Sequence, residues 1–145
     1  MDGRTLGMSS LRAMPLFSDV SQHDLESILK IGDLHTFDAG QPVVTRGEAA
    51  DALFVIVRGK AEVELEDVSH VLQEGDFFGE MALVSGKPRT ATVKALEQLQ
   101  ALRIGAEDFQ RFLLQHPQVG LTMLKSLIDR WRDVQERLEA WAGTG

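Results

Sequence analysis

The sequence predicts a mainly β protein, an antiparallel sandwich or jelly roll with helices before and after the strands. Between about residues 34 and 104, short apolar runs have the composition of β-strands. They read LHTF, PVVT, LFVIV, AEVEL, HVLQ, TATVKA and LQALRI. Glycine turn signals separate them, at Ala39-Gly40, Arg46-Gly47, Arg58-Gly59, Glu74-Gly75 and Ser85-Gly86. Many short strands without intervening helices are typical of such all-β folds.

A short helix is predicted before the strands. Ser21 and Asp24 have the spacing of a capping box, in which a side chain at the helix start bonds the backbone three residues on. Leu25, Ile28 and Leu29 then form an apolar stripe with helical spacing. We therefore expect a helix from about Ser21.

Two helices are predicted after the strands. The segment EDFQRFLLQ is amphipathic and is stopped at His116 by Pro117, because a proline disfavours helix at the residue before it. A long helix follows, with apolar residues at a/d heptad spacing: Leu124, Leu127, Trp131, Val134, Leu138 and Trp141. This stripe has three interpretations: it packs on its own domain, forms a homodimer seam, or acts as a mobile lid.

Length and composition predict one domain, residues 1–145, made of an N-terminal helical element (1–33), a β-region (34–104) and C-terminal helices (107–142). The chain has no cysteine, which excludes disulfides and thiolate chemistry and suits a reducing compartment. Its N-terminus lacks the features of a signal peptide, and no apolar run is long enough to span a bilayer. We expect a cytoplasmic protein without direct membrane contact.

Charge and residue pattern also exclude some function classes. The net charge of −7 argues against non-specific nucleic-acid binding, which needs a basic surface, so we expect no nucleic-acid partner. A metal-dependent jelly-roll enzyme would need clustered histidine and acidic ligands. The four histidines are scattered singly along the chain: His23, His35, His70 and His116. We expect neither a metal site nor a catalytic centre.

Residues 75–95, GDFFGEMALVSGKPRTATVKA, carry the strongest chemical signal. The segment FFGEMAL has the length of one or two helical turns, entered through Gly79. A helix start offers unpaired N–H groups and a positive dipole end, which together bind anions. Pro88 ends any helix there, and Arg89 lies at the start of the next strand, from which its guanidinium can reach back to grip a phosphate. Glu80 can accept a hydrogen bond from a sugar hydroxyl, so the pattern indicates a sugar phosphate site. On the residues alone, Glu80 and Arg89 are equally well explained as partners of each other.

The same stretch resembles the phosphate-binding cassette of cyclic nucleotide-binding domains, as found in catabolite activator proteins, protein kinase A regulatory subunits and cyclic-nucleotide-gated channels. The family pattern is matched at Phe78, Gly79, Glu80, Ala82, Leu83, Arg89, Thr90 and Ala91. The segments PLFSDVSQHDLESIL and FDAGQPVVTRGEAADALFVIVRGKAEV resemble the family's N-terminal element and early strands, so the resemblance covers nearly the whole chain.

The resemblance implies an eight-stranded antiparallel jelly roll with the cassette at 75–92. It implies that Glu80 binds the ribose 2′-hydroxyl and that Arg89 binds the cyclic phosphate, helped by backbone amides near Gly79, Ala82 and Ala91. Thr90 would face the phosphate and the base, and Phe78, Met81 and Val71 join the ligand-binding set. In the family the last helix covers the base, and the lid candidates here are Ile128, Arg130 and Trp131.

These implications favour a non-enzymatic receptor that needs no cofactor and binds cAMP in preference to cGMP. A Thr90 hydroxyl can bond the guanine amino group, but channel-type members that prefer cAMP also carry threonine there. Ligand binding would move the C-terminal helix, and the effector is unknown. The alternative is an interaction or dimerisation module that keeps the fold without nucleotide binding.

Overall fold

The computed structural model describes residues 11–64, 69–80 and 88–144, apart from the side chains at 15 and 140–144. A 3-10 turn, Pro15–Phe17, precedes helix α1, Gln22–Ile31. Two more helices, α2 (Ala106–Gln115) and α3 (Pro117–Thr144), follow the last strand. The strands between them are β1 Gly32–Phe37, β2 Pro42–Val44, β3 Ala52–Arg58, β4 Ala61–Glu64, β5 Ser69–Leu72, β6 Phe77–Phe78, β7 Thr92–Ala95 and β8 Leu99–Gly105.

The described strands form two four-stranded antiparallel sheets. Sheet A has the order β1-β8-β3-β6, and sheet B has the order β2-β7-β4-β5. The eight strands among the described residues confirm the predicted fold class, an antiparallel two-sheet β-fold with flanking helices. Both sheets are open.

Strand β3 explains why the segment ALFVIV reads as an unbroken apolar run. Successive side chains of a strand point to opposite faces. Leu53, Val55 and Val57 pack with the helices in one core cluster. Phe54 and Ile56 belong to a second cluster that sheet B also lines. Because both faces of β3 are buried, its sequence lacks the alternation of a half-exposed strand.

The helices follow the sequence signals closely. Ser21 is the N-cap of α1, its hydroxyl accepting a hydrogen bond from the Asp24 backbone N–H at 3.2 Å. That hydroxyl also donates to an Asp24 carboxylate oxygen at 2.9 Å, so the predicted capping interaction is present. Helix α2 ends at Gln115, and Pro117 occupies the first position of α3, where a missing N–H costs nothing.

Four of the five predicted turn glycines have positive φ angles, as tight turns require: Gly40, Gly47, Gly59 and Gly75. The fifth turn, at Ser85-Gly86, lies outside the described residues. No helix in the described ranges is long and apolar enough to cross a membrane.

One local prediction was wrong. The segment FFGEMAL was predicted to form one or two helical turns, but its first two residues, Phe77 and Phe78, form β6, which pairs with Val55 and Phe54 of β3. The two phenylalanines are buried, so this pairing is fixed by the core rather than by the local sequence. Glu80 itself has a helical backbone, and the remainder of the predicted turn lies outside the described residues.

Candidate functional site

Arg89 is a buried cation held mainly by main-chain carbonyls. Its side chain is only 6% exposed. In the described ranges, all the other buried residues are apolar. One guanidinium nitrogen, Nη1, donates to the carbonyl of Gly79 at 3.3 Å, and Nη2 donates to the carbonyl of Ala52 at 3.0 Å. The Arg89 backbone is fixed as well, since its N–H donates to the Glu48 carbonyl at 2.8 Å and its carbonyl accepts from Gly47.

Gly79 is required at this position for steric reasons. Its φ angle is +83°, a conformation that side chains disfavour. A Cβ atom there would lie 2.6 Å from the Arg89 Nη1 and 2.9 Å from the Ala52 carbonyl oxygen. The glycine therefore makes the space in which the guanidinium sits.

The charge of Arg89 is only weakly compensated by nearby acids. Burial lowers the pKa of Arg89 below its usual value, and the Asp51 carboxylate partly offsets this effect. Asp51 is 3.9 Å away, is 70% exposed, and lies closer to Arg103, at 3.4 Å. An arginine stays protonated in proteins, so a buried positive charge remains available to an anion.

Glu80 is not the ion-pair partner of Arg89. Among the described side chains its partner is Arg130 of α3, with 3.8 Å between the Glu80 Oε1 and the Arg130 Nη1. Arg130 also donates from Nη2 to the Phe77 carbonyl at 2.7 Å, and its guanidinium carbon lies 5.1 Å from the centre of the Phe77 ring. The helix is thus tied to the segment that carries Glu80.

A cavity joins these groups. Its volume is about 770 Å³ when the open mouth is included. Of the predicted ligand-binding residues, the structure brings seven to its wall: Phe78, Gly79, Glu80, Arg89, Thr90, Ala91 and Arg130. Met81 and Ala82 lie outside the described residues.

Val71 is a predicted site residue that the cavity wall does not include. The burial of β5 alternates, with His70 and Leu72 on the inner side and Val71 on the outer, 48% exposed. The strand register therefore gives the cavity His70 in place of Val71. A one-residue error of this kind moves a side chain to the opposite face.

Sequence reasoning missed five residues of the cavity wall: Val44, Val63, His70, Val93 and Val134. Three valines come from inward faces of β2, β4 and β7, so strand alternation was a usable signal for them. The same signal applied to His70, which shares the inner side of β5 with Leu72, whereas the place of Val134 depends on how α3 meets the sheets. The wall combines these apolar residues with a buried cation, a carboxylate and the Thr90 hydroxyl.

Helix α3 covers part of the cavity, but with fewer of the predicted lid residues than expected. Arg130 and Val134 line the wall. Ile128 and Trp131 do not line it, and they are 46% and 62% exposed. Only Arg130 of the three predicted lid residues reaches the site.

The predicted heptad stripe is split between two faces of α3. Leu127 packs against the core and Val134 lines the cavity, as the interpretation of packing on its own domain requires. Leu124, Trp131 and Leu138 are exposed. The Trp141 side chain is not among the described ones. The six predicted residues therefore do not form one continuous seam.

Comparison with known proteins identifies the family. The model of the cyclic nucleotide-binding domain matches residues 34–116. A cyclic nucleotide-gated potassium channel of Rhizobium etli is 36% identical over 118 residues, 81% of this chain and 33% of the channel. A cAMP-dependent protein kinase regulatory subunit of Yarrowia lipolytica is 36% identical over 106 residues, 71% of this chain and 28% of that protein. The chain belongs to the cyclic nucleotide-binding domain family.

Further matches are a cGMP-dependent kinase, by sequence, and two solved structures, by fold. A cGMP-dependent protein kinase of Toxoplasma gondii is 32% identical over 123 residues, 83% of this chain and 12% of the kinase. A solved structure described as "Sp-2Cl-cAMPS bound to PKAR CBD2" is 23% identical, with a TM-score of 0.77, covering 93% of this chain and 90% of that one. The catabolite activator protein of Thermus thermophilus gives a TM-score of 0.71 at 24% identity, covering 88% of this chain and 63% of that one. The chain spans a third or less of the curated relatives described here.

Proposed function

We propose that the chain is a non-enzymatic receptor that binds a cyclic nucleotide in the cavity between sheet B and α3. The observation that carries the proposal is Arg89, a buried guanidinium at the wall of a cavity that also holds Glu80. Among the described residues, its nearest acid is 3.9 Å away and exposed. A guanidinium has five N–H donors, so the two bonds to carbonyls leave others for phosphate oxygens.

The remaining wall supports one orientation of the ligand. We place the cyclic phosphate at Arg89 and the backbone near Gly79 and Ala91, and the ribose 2′-hydroxyl at Glu80. The base then lies between the valines of sheet B and helix α3, where Arg130 can contact it. The Glu80–Arg130 separation of 3.8 Å is too long for a direct hydrogen bond, so a ribose hydroxyl can take the Glu80 carboxylate without displacing a strong contact.

We propose cAMP as the preferred ligand, with cGMP as the competitor. The names of the relatives include both a cAMP-dependent and a cGMP-dependent kinase protein. Thr90 is an exposed residue at the cavity wall, where its hydroxyl can meet the guanine amino group. The chain prefers cAMP if contacts between the base and the apolar wall contribute more binding free energy than a hydrogen bond from the Thr90 hydroxyl to guanine.

Ligand binding acts on helix α3 in this proposal. Arg130 and Val134 belong to the helix and to the cavity wall together, so a ligand that contacts them favours the closed position. We predict a cytoplasmic location for the chain.

A homodimer through α3 is a second proposal, with a shifted register. The exposed apolar residues of the helix lie at a/d heptad positions: Leu121, Leu124, Ile128, Trp131 and Leu138. A polar residue, Gln135, occupies the position of the same series between Trp131 and Leu138. Such a seam packs against another helix with the same a/d spacing, and α3 of a second copy of this chain is such a helix. This exposed stripe replaces the seam expected from the sequence.

Isothermal titration with cAMP and with cGMP tests the proposed function. We expect saturable heat with both nucleotides and tighter binding of cAMP. A chain that gives no heat at high micromolar concentrations of either nucleotide would instead be an interaction module that has kept only the fold.

A further inference from the structure

A second polar contact joins α3 to sheet B beside the cavity. The Nδ1 of His70 lies 3.4 Å from the Oδ2 of Asp133. Arg137 approaches the same carboxylate oxygen at 3.3 Å through Nη2, and its Nη1 donates to the Ser69 carbonyl at 2.8 Å. We call these four residues, Ser69 and His70 of β5 with Asp133 and Arg137 of α3, the β5–α3 clasp.

The histidine of the clasp is poised to gain a partner by protonation. Its side chain is 18% exposed, and its Nδ1 atom is buried without a hydrogen bond to any described residue. A protonated imidazole carries a donor on each nitrogen and a positive charge, so Nδ1 would then form a charge-assisted bond to Asp133. Histidine is the side chain that ordinarily changes charge between pH 5 and 8.

We propose that the β5–α3 clasp is a pH-sensitive latch in which protonated His70 holds α3 closed over the cavity, so that nucleotide affinity rises as the pH falls. The effect on affinity rests on the proposed function. The latch itself is a property of the ligand-free chain. His70 acts here as a positioning residue for the helix.

The neighbouring charges set the size of the effect. Among the described acids, Asp133 is the one within ion-pair distance of His70, and Arg137 competes for its carboxylate oxygen. On the strand paired with β5, the residue opposite His70 is the uncharged Val63. Among the described residues, the charged groups that share the cavity with His70 are Glu80, Arg89 and Arg130, while Glu62 and Glu64 flank Val63 on β4 and alternate with it. Of the described charged groups, Asp133 is the one in ion-pair contact with His70, so the expected direction follows from this contact.

The position of Asp133 in α3 explains how the latch reaches the ligand. Asp133 lies between Arg130 and Val134, the two α3 residues on the cavity wall. On a helix, residues three apart are neighbours on one side, so fixing residue 133 also fixes the approach of residue 130. A latch at this point holds the part of α3 that faces the cavity.

The test compares Asp133→Asn with the control Asp129→Asn, which removes one acid from an exposed position one turn away on the same helix. Dissociation constants for cAMP are measured by titration at about pH 6 and about pH 8, where histidine changes charge. We expect the wild type and Asp129→Asn to bind about two- to fivefold more tightly at the lower pH, the range of a partly exposed ion pair. Asp133→Asn and His70→Gln should lose this difference. Equal pH dependence in wild type and Asp133→Asn would overturn the latch.

A ligand-free measurement separates the latch from the proposed function. Hydrogen exchange of the amides in 127–139, corrected for the intrinsic effect of pH, should be slower at the lower pH in the wild type and not in Asp133→Asn. If neither protein binds nucleotide but this difference is present, the proposed function fails and the latch stands. If nucleotide binds and the exchange difference is absent, the latch fails alone.

Discussion

Arg89 and Gly79 form one unit at the scale of the residue. The sequence predicted both as site residues, with the backbone near Gly79 helping to bind the phosphate. The structure adds a steric reason for the glycine, because the absent Cβ makes room for the arginine itself, whose Nη1 is 2.6 Å from the Cβ position. The Ala52 carbonyl that holds Arg89 is 37 residues away in sequence, so no local pattern could have indicated it.

A matched pair of glycine substitutions tests this unit. Gly79→Ala should lower the free energy of unfolding by more than Gly40→Ala, measured by chemical denaturation. The two glycines have nearly equal φ angles, +83° and +85°, but nothing lies within 4 Å of a Cβ at Gly40. Gly40→Ala therefore reports the backbone strain alone, about 1 kcal/mol, and the clash adds roughly 1–3 kcal/mol at Gly79. Equal losses would show that the guanidinium moves away without cost.

At the scale of the element, α3 shows what a helical pattern does and does not determine. The length and apolar character of the helix were predicted from the sequence. Its orientation was not, because apolar residues at 3–4 spacing lie on two overlapping stripes and only the tertiary contacts decide which one is buried. Val119 and Met123 pack on the core, although neither belonged to the predicted stripe. Strand β6 was missed for the same reason, since two residues carry no period of their own.

Arg130 is the test of the role of α3 as a lid. Arg130→Ala removes the 2.7 Å hydrogen bond to the Phe77 carbonyl and the contact with the Phe77 ring. We expect cAMP to dissociate about two- to tenfold faster, the effect of losing one net hydrogen bond. Stopped-flow displacement of a fluorescent cAMP analogue measures this rate. Arg132→Ala, at an exposed position of the same helix, is the control and should leave the rate unchanged.

At the scale of the whole molecule, the exposed stripe of α3 raises the question of assembly. Five large apolar residues at a/d spacing on one 28-residue helix are costly to leave in water. Light scattering during size-exclusion chromatography measures the mass of the chain. We expect a dimer for the wild type and a monomer for Ile128→Glu, which places a charge in the seam.

The control for assembly is Leu114→Glu, at an apolar residue of α2 that is 84% exposed and outside the stripe. It should remain dimeric, because it introduces the same charge without touching the seam. A wild-type chain that is monomeric at all concentrations tested would contradict the dimer proposal and leave the receptor proposal unaffected.

The two-sheet fold and most of the cassette could be predicted because they depend on local signals, such as turn glycines, strand composition and the spacing of Glu80 and Arg89. The partners of those two residues could not, since Ala52, Asp51 and Arg130 approach them from distant parts of the chain. The sequence left open whether Glu80 and Arg89 pair with each other. The structure gives each of them a different neighbour.

The central claim is that Arg89 supplies the positive charge that binds the phosphate. Titration of cAMP into Arg89→Leu, with Arg103→Leu as the matched control, tests it most directly. Arg103 also pairs with Asp51 but does not line the cavity with Glu80. The account predicts that Arg89→Leu loses roughly 2–5 kcal/mol of binding free energy, the usual cost of removing one partner of a buried charge pair, while Arg103→Leu binds like the wild type. Equal affinity in Arg89→Leu and the wild type, with both proteins folded, would contradict it.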